Sequence, residues 1–197
     1  MKSDFLVFSV SGKEYKVQII RSGRKTISLE IKPDLSLLLR APYRASDAEI
    51  RLLLSKKGKW IEKHIALAEK KTAEIESSRR LTKEELTSLK AQAAKVISHR
   101  VSYFADILGV TFGKISIRSQ RSRFGSCSRE GNLSFNCILM LCPPDVLDYV
   151  VVHELCHRKQ MNHSRLFWAE VGRVLPDYET QKRWLRESGS VLISRLK

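Results

Sequence analysis

The residues best equipped for chemistry lie in Val150-Val151-Val152-His153-Glu154-Leu155-Cys156-His157, which contains an HExxH pattern. In a helix, residues four apart lie about 400° round the axis, so His153 and His157 fall within roughly 40° of each other, one turn apart. At that spacing two imidazoles can share a metal ion, with a glutamate beside them to take a proton from an attacking water. The pattern points to a metal-dependent hydrolase acting on peptide bonds. Glu154 is its expected general base and acid, and a single zinc its expected cofactor.

A catalytic zinc takes a third protein ligand and keeps a fourth position open. His163 follows His157 in the stretch Asn162-His163-Ser164. One continuous helix would set His163 about 280° round from His153, well off the shared face. For His163 to bind, the helix must stop near Met161, and Asn162 is a residue that tolerates the left-handed conformation of a helix stop. Ser164 would then cap a next helix over residues 165–175. The rival third ligand is Glu170 on that next helix, in the manner of gluzincins; His163 is preferred. The spacing equals that of the metzincin pattern, but Gln160 stands where that pattern has glycine, which argues against a metzincin.

A second set of reactive groups lies just upstream. Arg118, Arg121 and Arg123 precede Gly125-Ser126. Guanidinium groups can neutralise a substrate carboxylate or a phosphate, and Arg121, Arg123 and Asn136 are the candidate substrate-binding residues. If the arginines face the ion, a second enzyme class opens: a metal-dependent phosphoanhydride hydrolase acting on a nucleotide.

These residues need a scaffold. Pro143-Pro144-Asp145 opens the HExxH helix, since proline is tolerated in a first turn and a carboxylate there suits the helix dipole. Val146, Leu147, Val150, Val151 and Leu155 can bury it on both sides of the metal face, which makes a stiff platform. Before it, residues 114–118 and 133–141 read as strands around a loop. The second strand, ending at Leu141, is expected to lie along the substrate backbone. Further upstream, residues 5–41 read as four short strands, in which Ile27, Leu29 and Ile31 alternate with polar residues. Ser11-Gly12, Ser22-Gly23 and Pro33-Asp34 are the turn signals between them. A small antiparallel meander is the expectation. Two capping boxes, Ser46 with Glu49 and Thr82 with Glu85, then open helices. The first is interrupted at Gly58, and the second stops near Gly109. The fold class is α+β. Residues 1–80 form an N-terminal meander with a basic helical region, and residues 81–197 the catalytic unit.

Composition narrows the setting. No apolar run approaches the roughly 18 residues that span a bilayer, and nothing at the N-terminus reads as a secretory signal, so no membrane role and a cytoplasmic location are expected. Cys127, Cys137, Cys142 and Cys156 show no CxxC spacing and read as reduced, buried thiols. The formal charge is +15, of which residues 51–100 contribute +7. Such a face suits nucleic acid, an anionic membrane surface or an acidic partner, and suits a solvated surface equally well. That leaves a non-enzymatic reading, a basic nucleic-acid-associated protein with a structural metal. No obligate partner is evident.

Several stretches together resemble the YgjP-like metallopeptidase family. They are Phe124-Gly125-Ser126-Cys127-Ser128, residues 131–136, Pro143-Pro144, residues 148–157, Asn162-His163-Ser164 with Phe167-Trp168, Pro176-Asp177-Tyr178 and Trp184-Leu185. The N-terminal strands followed by Lys59-Trp60-Ile61 also look like that family, so the likeness covers nearly the whole chain. It extends more loosely to SprT-like and WLM zinc peptidases. The resemblance implies a zincin-like fold, zinc on His153, His157 and His163, and Glu154 as the catalytic acid and base. Phe124 departs from the tryptophan usual before Gly-Ser-Cys. The family supplies no substrate beyond a peptide or protein; SprT-like relatives act on proteins crosslinked to DNA, which is analogy across families.

Overall fold

The computed structural model describes residues 3–32 and 34–196. The chain divides into two compact units, Met1–Glu76 and Ser77–Lys197.

The first unit begins with strands β1 (Ser3–Val10), β2 (Lys13–Ser22), β3 (Ser28–Ile31) and β4 (Leu37–Pro42). Ser11 and Gly12 both take positive φ, 46° and 81°, the paired left-handed residues that let a two-residue hairpin follow the strand twist. The sheet order is β1-β2-β4-β3. The pairs β1–β2 and β3–β4 are antiparallel, but β2 and β4 run parallel, so the sheet is not the expected meander. The reason lies in β4. Leu37, Leu38 and Leu39 are all buried, and such an unbroken apolar run suits a strand with neighbours on both sides. The alternating β3 takes the edge. Pro33, one half of a turn signal, lies outside the described residues.

Helix α1 (Asp47–Lys56) carries the Ser46–Glu49 capping box, and α2 (Gly58–Ser77) begins after a single residue. A Cβ on Gly58 would stand 3.3 Å from Val10 Cγ1. The break falls at Lys57, and the glycine lets the start of α2 sit against β1. Val17, Leu39, Ile50, Leu54, Ile61 and Ile65 form the core of this unit.

In the second unit α3 (Lys83–Leu108) starts at the Thr82–Glu85 capping box and stops at Gly109, whose φ is 66°. Leu89, Ala93, Ile97, Val101, Phe104 and Leu108 recur every three to four residues and face the core. Strands β5 (Ile115–Arg118), β6 (Gly125–Cys127) and β7 (Leu133–Asn136) form a sheet of order β5-β7-β6. β7 is parallel to β5 and antiparallel to β6, which forms an edge. The strand expected to reach Leu141 ends at Asn136. The Asn136 Oδ1 accepts the Ile138 N–H at 3.2 Å and turns Cys137–Leu141 into a 3₁₀ helix. Helices α4 (Pro144–Cys156), α5 (Arg165–Val174) and α6 (Tyr178–Ser194) complete the unit. Among the described residues, no helix is long and apolar enough to cross a membrane.

Candidate metal centre

The site grows from α4. Val146, Leu147, Val150, Val151, Val152, Leu155 and Cys156 are buried, and Asp148 is clasped by Arg100 through two bonds of 2.6 and 2.8 Å. A helix fixed on so many sides presents His153 and Glu154 from a rigid backbone.

The helix ends sooner than its sequence suggests. It stops at Cys156, with His157 as its cap at φ −64° and ψ −16°, so His157 keeps helical geometry one turn beyond His153. The chain then turns through residues 157–159, where Lys159 and Gln160 both donate to the Cys156 carbonyl. Asn162 is not among the residues with positive φ, so the expected stop near Met161 with a left-handed Asn162 is incorrect. Side chains hold the turn instead. Arg158 donates to the carbonyls of Thr111 and Arg129, both at 3.0 Å, and Lys159 pairs with Glu170 at 3.0 Å.

His163 arrives from this irregular segment. Its Nε2 lies 3.0 Å from the Nε2 of His153. One candidate ligand atom from each of His153, His157 and His163 lies within 4.8 Å of the others. The Nδ1 of His157 sits 3.1 Å from the Gln160 carbonyl. A carbonyl only accepts, so that nitrogen carries the proton and Nε2 keeps its lone pair for an ion. Burial drives the pKa of His153 down to about 3, helped by His157, His163 and Lys182, and burial also lowers that of His157. Three imidazoles with converging nitrogens, two of them held neutral by burial, fit a zinc-type cation with one position left open. The rival Glu170 is engaged by Lys159 and Arg173 and stands outside this cluster.

Glu154 is 7% exposed. Burial raises its pKa to about 8, and the charge of Arg123 works against that rise. It lines a cleft of about 300 Å³ together with the three histidines, Met161 and the β6 residues Gly125, Ser126 and Cys127. A Cβ on Gly125 would come 2.6 Å from Glu154 Oε1. Only glycine lets the edge strand pass so close to the carboxyl, and neither periodicity nor composition marks that role. Phe167 is the second residue that sequence reasoning missed. Its ring lies 4.9, 4.7 and 4.8 Å from those of His153, His157 and His163 and makes a fully buried floor under all three. The available signal was the Ser164 cap, whose hydroxyl accepts from the Phe167 N–H at 3.4 Å and so fixes where the first turn of α5 begins.

The arginines and Asn136 separate. Arg118, Arg121 and Arg123 are exposed. Asn136 is 1% exposed, and its amide donates to the carbonyls of Gln120 and Arg123 at 2.7 and 3.0 Å. It therefore pins the arginine loop from inside, which corrects its expected place among substrate-binding residues.

A helix-borne HExxH beside an edge strand, with a third histidine closing on it, defines a metallopeptidase, a metal-dependent hydrolase. The family model of the YgjP-like metallopeptidase domain matches residues 25–88 and 80–188. The chain belongs to the YgjP-like metallopeptidase family. Among solved structures it is similar to the metallopeptidase zymogen abylysin of Pyrococcus abyssi, at 24% identity and a TM-score of 0.43 over 46% of this chain and 93% of that one. It is also similar to the zymogen jannalysin of Methanocaldococcus jannaschii, at 22% identity and a TM-score of 0.39 over 44% of this chain and 93% of that one. No curated protein matches.

Proposed function

We propose that this metallopeptidase holds one zinc ion on His153, His157 and His163 and cleaves peptide bonds with Glu154 as the proton carrier. The observation that carries the reading is the convergence of three imidazoles beside one buried carboxyl in an open cleft. A zinc ion there supplies Lewis-acid polarisation and makes water more acidic. Glu154 accepts the proton of the attacking water and delivers it to the leaving amine. The free edge of β6 offers backbone groups to an extended substrate, a part taken by β6 rather than by the strand first expected to reach Leu141. Elemental analysis of the purified chain, paired with cleavage of an unfolded protein before and after chelation, tests this. One equivalent of zinc and chelator-sensitive cleavage are expected; cleavage that survives full zinc removal would sink it.

Arg123 is the group we assign to an anionic part of the substrate, because its charge already reaches Glu154; Arg121, exposed on the same loop, is assigned with it. The same observation favours a second reading, hydrolysis of a nucleotide phosphoanhydride with the arginines on the phosphates. Phosphate release from a nucleoside triphosphate panel, without peptide cleavage, would select it. A nucleic-acid contact is a further reading. On α2, Trp60 stacks on His64 with ring centroids 4.1 Å apart; Lys59 and Lys63 share that helix, and Lys56 and Lys57 directly precede it. Binding of a single-stranded oligonucleotide that weakens steeply with salt would support it.

A further inference from the structure

The three histidines are not held alike. His153 is embedded in α4, and His157 is fixed by its bond to the Gln160 carbonyl. His163 is exposed, lies outside any helix or strand, and has His153 as its hydrogen-bonding neighbour. That contact joins the two nitrogens that an ion would need. Rings are what orient His163.

Those rings form a column. Tyr149 of α4 lies near-parallel to Tyr178 of α6, with centroids 6.4 Å apart at 12°. Tyr178 stacks on Trp168 of α5 at 5.3 Å and 13°. Trp168 stacks on His163 at 5.7 Å and 28°. The Lys182 ammonium sits 4.0 Å over the Trp168 ring and 5.8 Å over that of Tyr178, and Glu179 holds it at 3.1 Å. Stacked rings prefer such separations, and a cation over an indole face adds to the attraction. The column starts on the helix that carries His153, one turn before it, and ends on the third histidine. It ties the loop-borne ligand to the helix-borne pair through α5 and α6.

We propose that Trp168 is the positioning residue for His163, and that the Tyr149–Tyr178–Trp168 column, capped by Lys182, sets the reach of the third ligand toward the ion. This rests on the assignment of the three histidines as the metal site. None of Tyr149, Tyr178 and Trp168 lines the cleft where substrate would lie, although Trp168 and Tyr149 also meet the His153 ring edge-on at 5.9 and 5.8 Å. Its effect therefore falls on metal affinity, in the range of about 10–100-fold that groups orienting a ligand contribute.

The test is a Zn2+ titration against a competing chelator on the full chain, using wild type, Trp168→Ala, Trp168→Phe, His163→Ala and the double variant. Trp168→Ala should weaken Zn2+ by about tenfold or more, and Trp168→Phe by less. The deciding result is the cycle: on the His163→Ala background, Trp168→Ala should cost far less than on wild type, because only its edge contact with His153 remains. Losses that simply add, or a Trp168→Ala chain that binds as tightly as wild type, would overturn the proposal. Should Trp168→Ala fail to fold without metal, Tyr178→Leu replaces it. That ring is the middle of the column and meets none of the three histidines, and a vanishing effect on the His163→Ala background is expected. A wild-type chain that takes up no Zn2+ would instead bring down the metal-site assignment itself.

Discussion

The two sides of the proposed metal centre are built on different principles. His153, Glu154 and His157 are placed by one helix, whose 3.6-residue turn fixes their relation before any tertiary contact forms. His163 is placed by tertiary contacts alone: the Arg158 and Lys159 struts that shape the turn, the Phe167 floor and the Trp168 stack. The first side is a local property of eight residues. The second draws on α5, α6 and the segments around Thr111 and Arg129. On the proposed assignment, the rigid half would hold the proton carrier and the loop-borne half would complete the ligand set.

The largest expected effect falls on the rigid half. Glu154→Gln should lower hydrolysis by about 10²–10⁴-fold, the usual worth of a positioned acid–base group, while elemental analysis still finds zinc. His153→Ala should lose zinc on dialysis, whereas His163→Ala should retain a measurable fraction. Equal losses in the two alanine variants would erase the distinction between the halves. Next in size is Gly125→Ala. Its new methyl would stand 2.6 Å from Glu154 Oε1 and 2.7 Å from Cγ, so the metal-free chain should lose about 1–3 kcal/mol in urea denaturation, typical of overpacking. Unchanged stability together with unchanged turnover would mean that β6 yields easily.

A third effect is a pH profile of the metal-free chain. The pKa of Glu154 is raised from 4.5 to about 8, so its contribution to stability is fully present below pH 4.5 and is lost as pH rises through 8. That of His153 is lowered from 6.5 to about 3, so its contribution is present above pH 6.5 and is lost as pH falls through 3. Between pH 4.5 and 6.5 the two slopes oppose each other. A plateau in melting temperature there, with a decline on either side, is expected from thermal scans. Glu154→Gln should remove the alkaline decline and leave the acidic one; a profile unaltered by that substitution would mean that the alkaline decline arises elsewhere. The smallest effect belongs to Arg123→Glu. Its positive charge lowers the Glu154 pKa, so the reversal should push that carboxyl further up. A carbon-detected NMR titration of the metal-free chain reads this directly, and no movement would place Arg123 too far away to matter.

Which parts of this architecture could be read from residues alone follows the same division. Both capping boxes and the Gly109 stop are local signals, and the structure contains all three. The His153–His157 pair is local as well. The insertion of β4 between β2 and β3 is not, because strand order depends on which strand needs two neighbours. Nor is the end of α4: Asn162 looked like a stop, yet the pull of Thr111 and Arg129 on the Arg158 guanidinium turns the chain earlier. Asn136 was misread for a related reason. A polar residue in a strand suggests a wet face, and only the fold shows that its amide is used up by two loop carbonyls and the Ile138 N–H. Gly125 and Phe167 carry their meaning entirely in what lies opposite them.

The brevity of β6 has a consequence of its own. Three residues, Gly125–Cys127, amount to roughly 10 Å of extended chain. An edge this short gives another molecule little to zip onto, so a second copy gains little by pairing along β6. The same shortness works as a ruler. A substrate paired along it is gripped over only a few residues, so the enzyme should favour segments that are already loose or unfolded over any that a folded neighbour still holds in place.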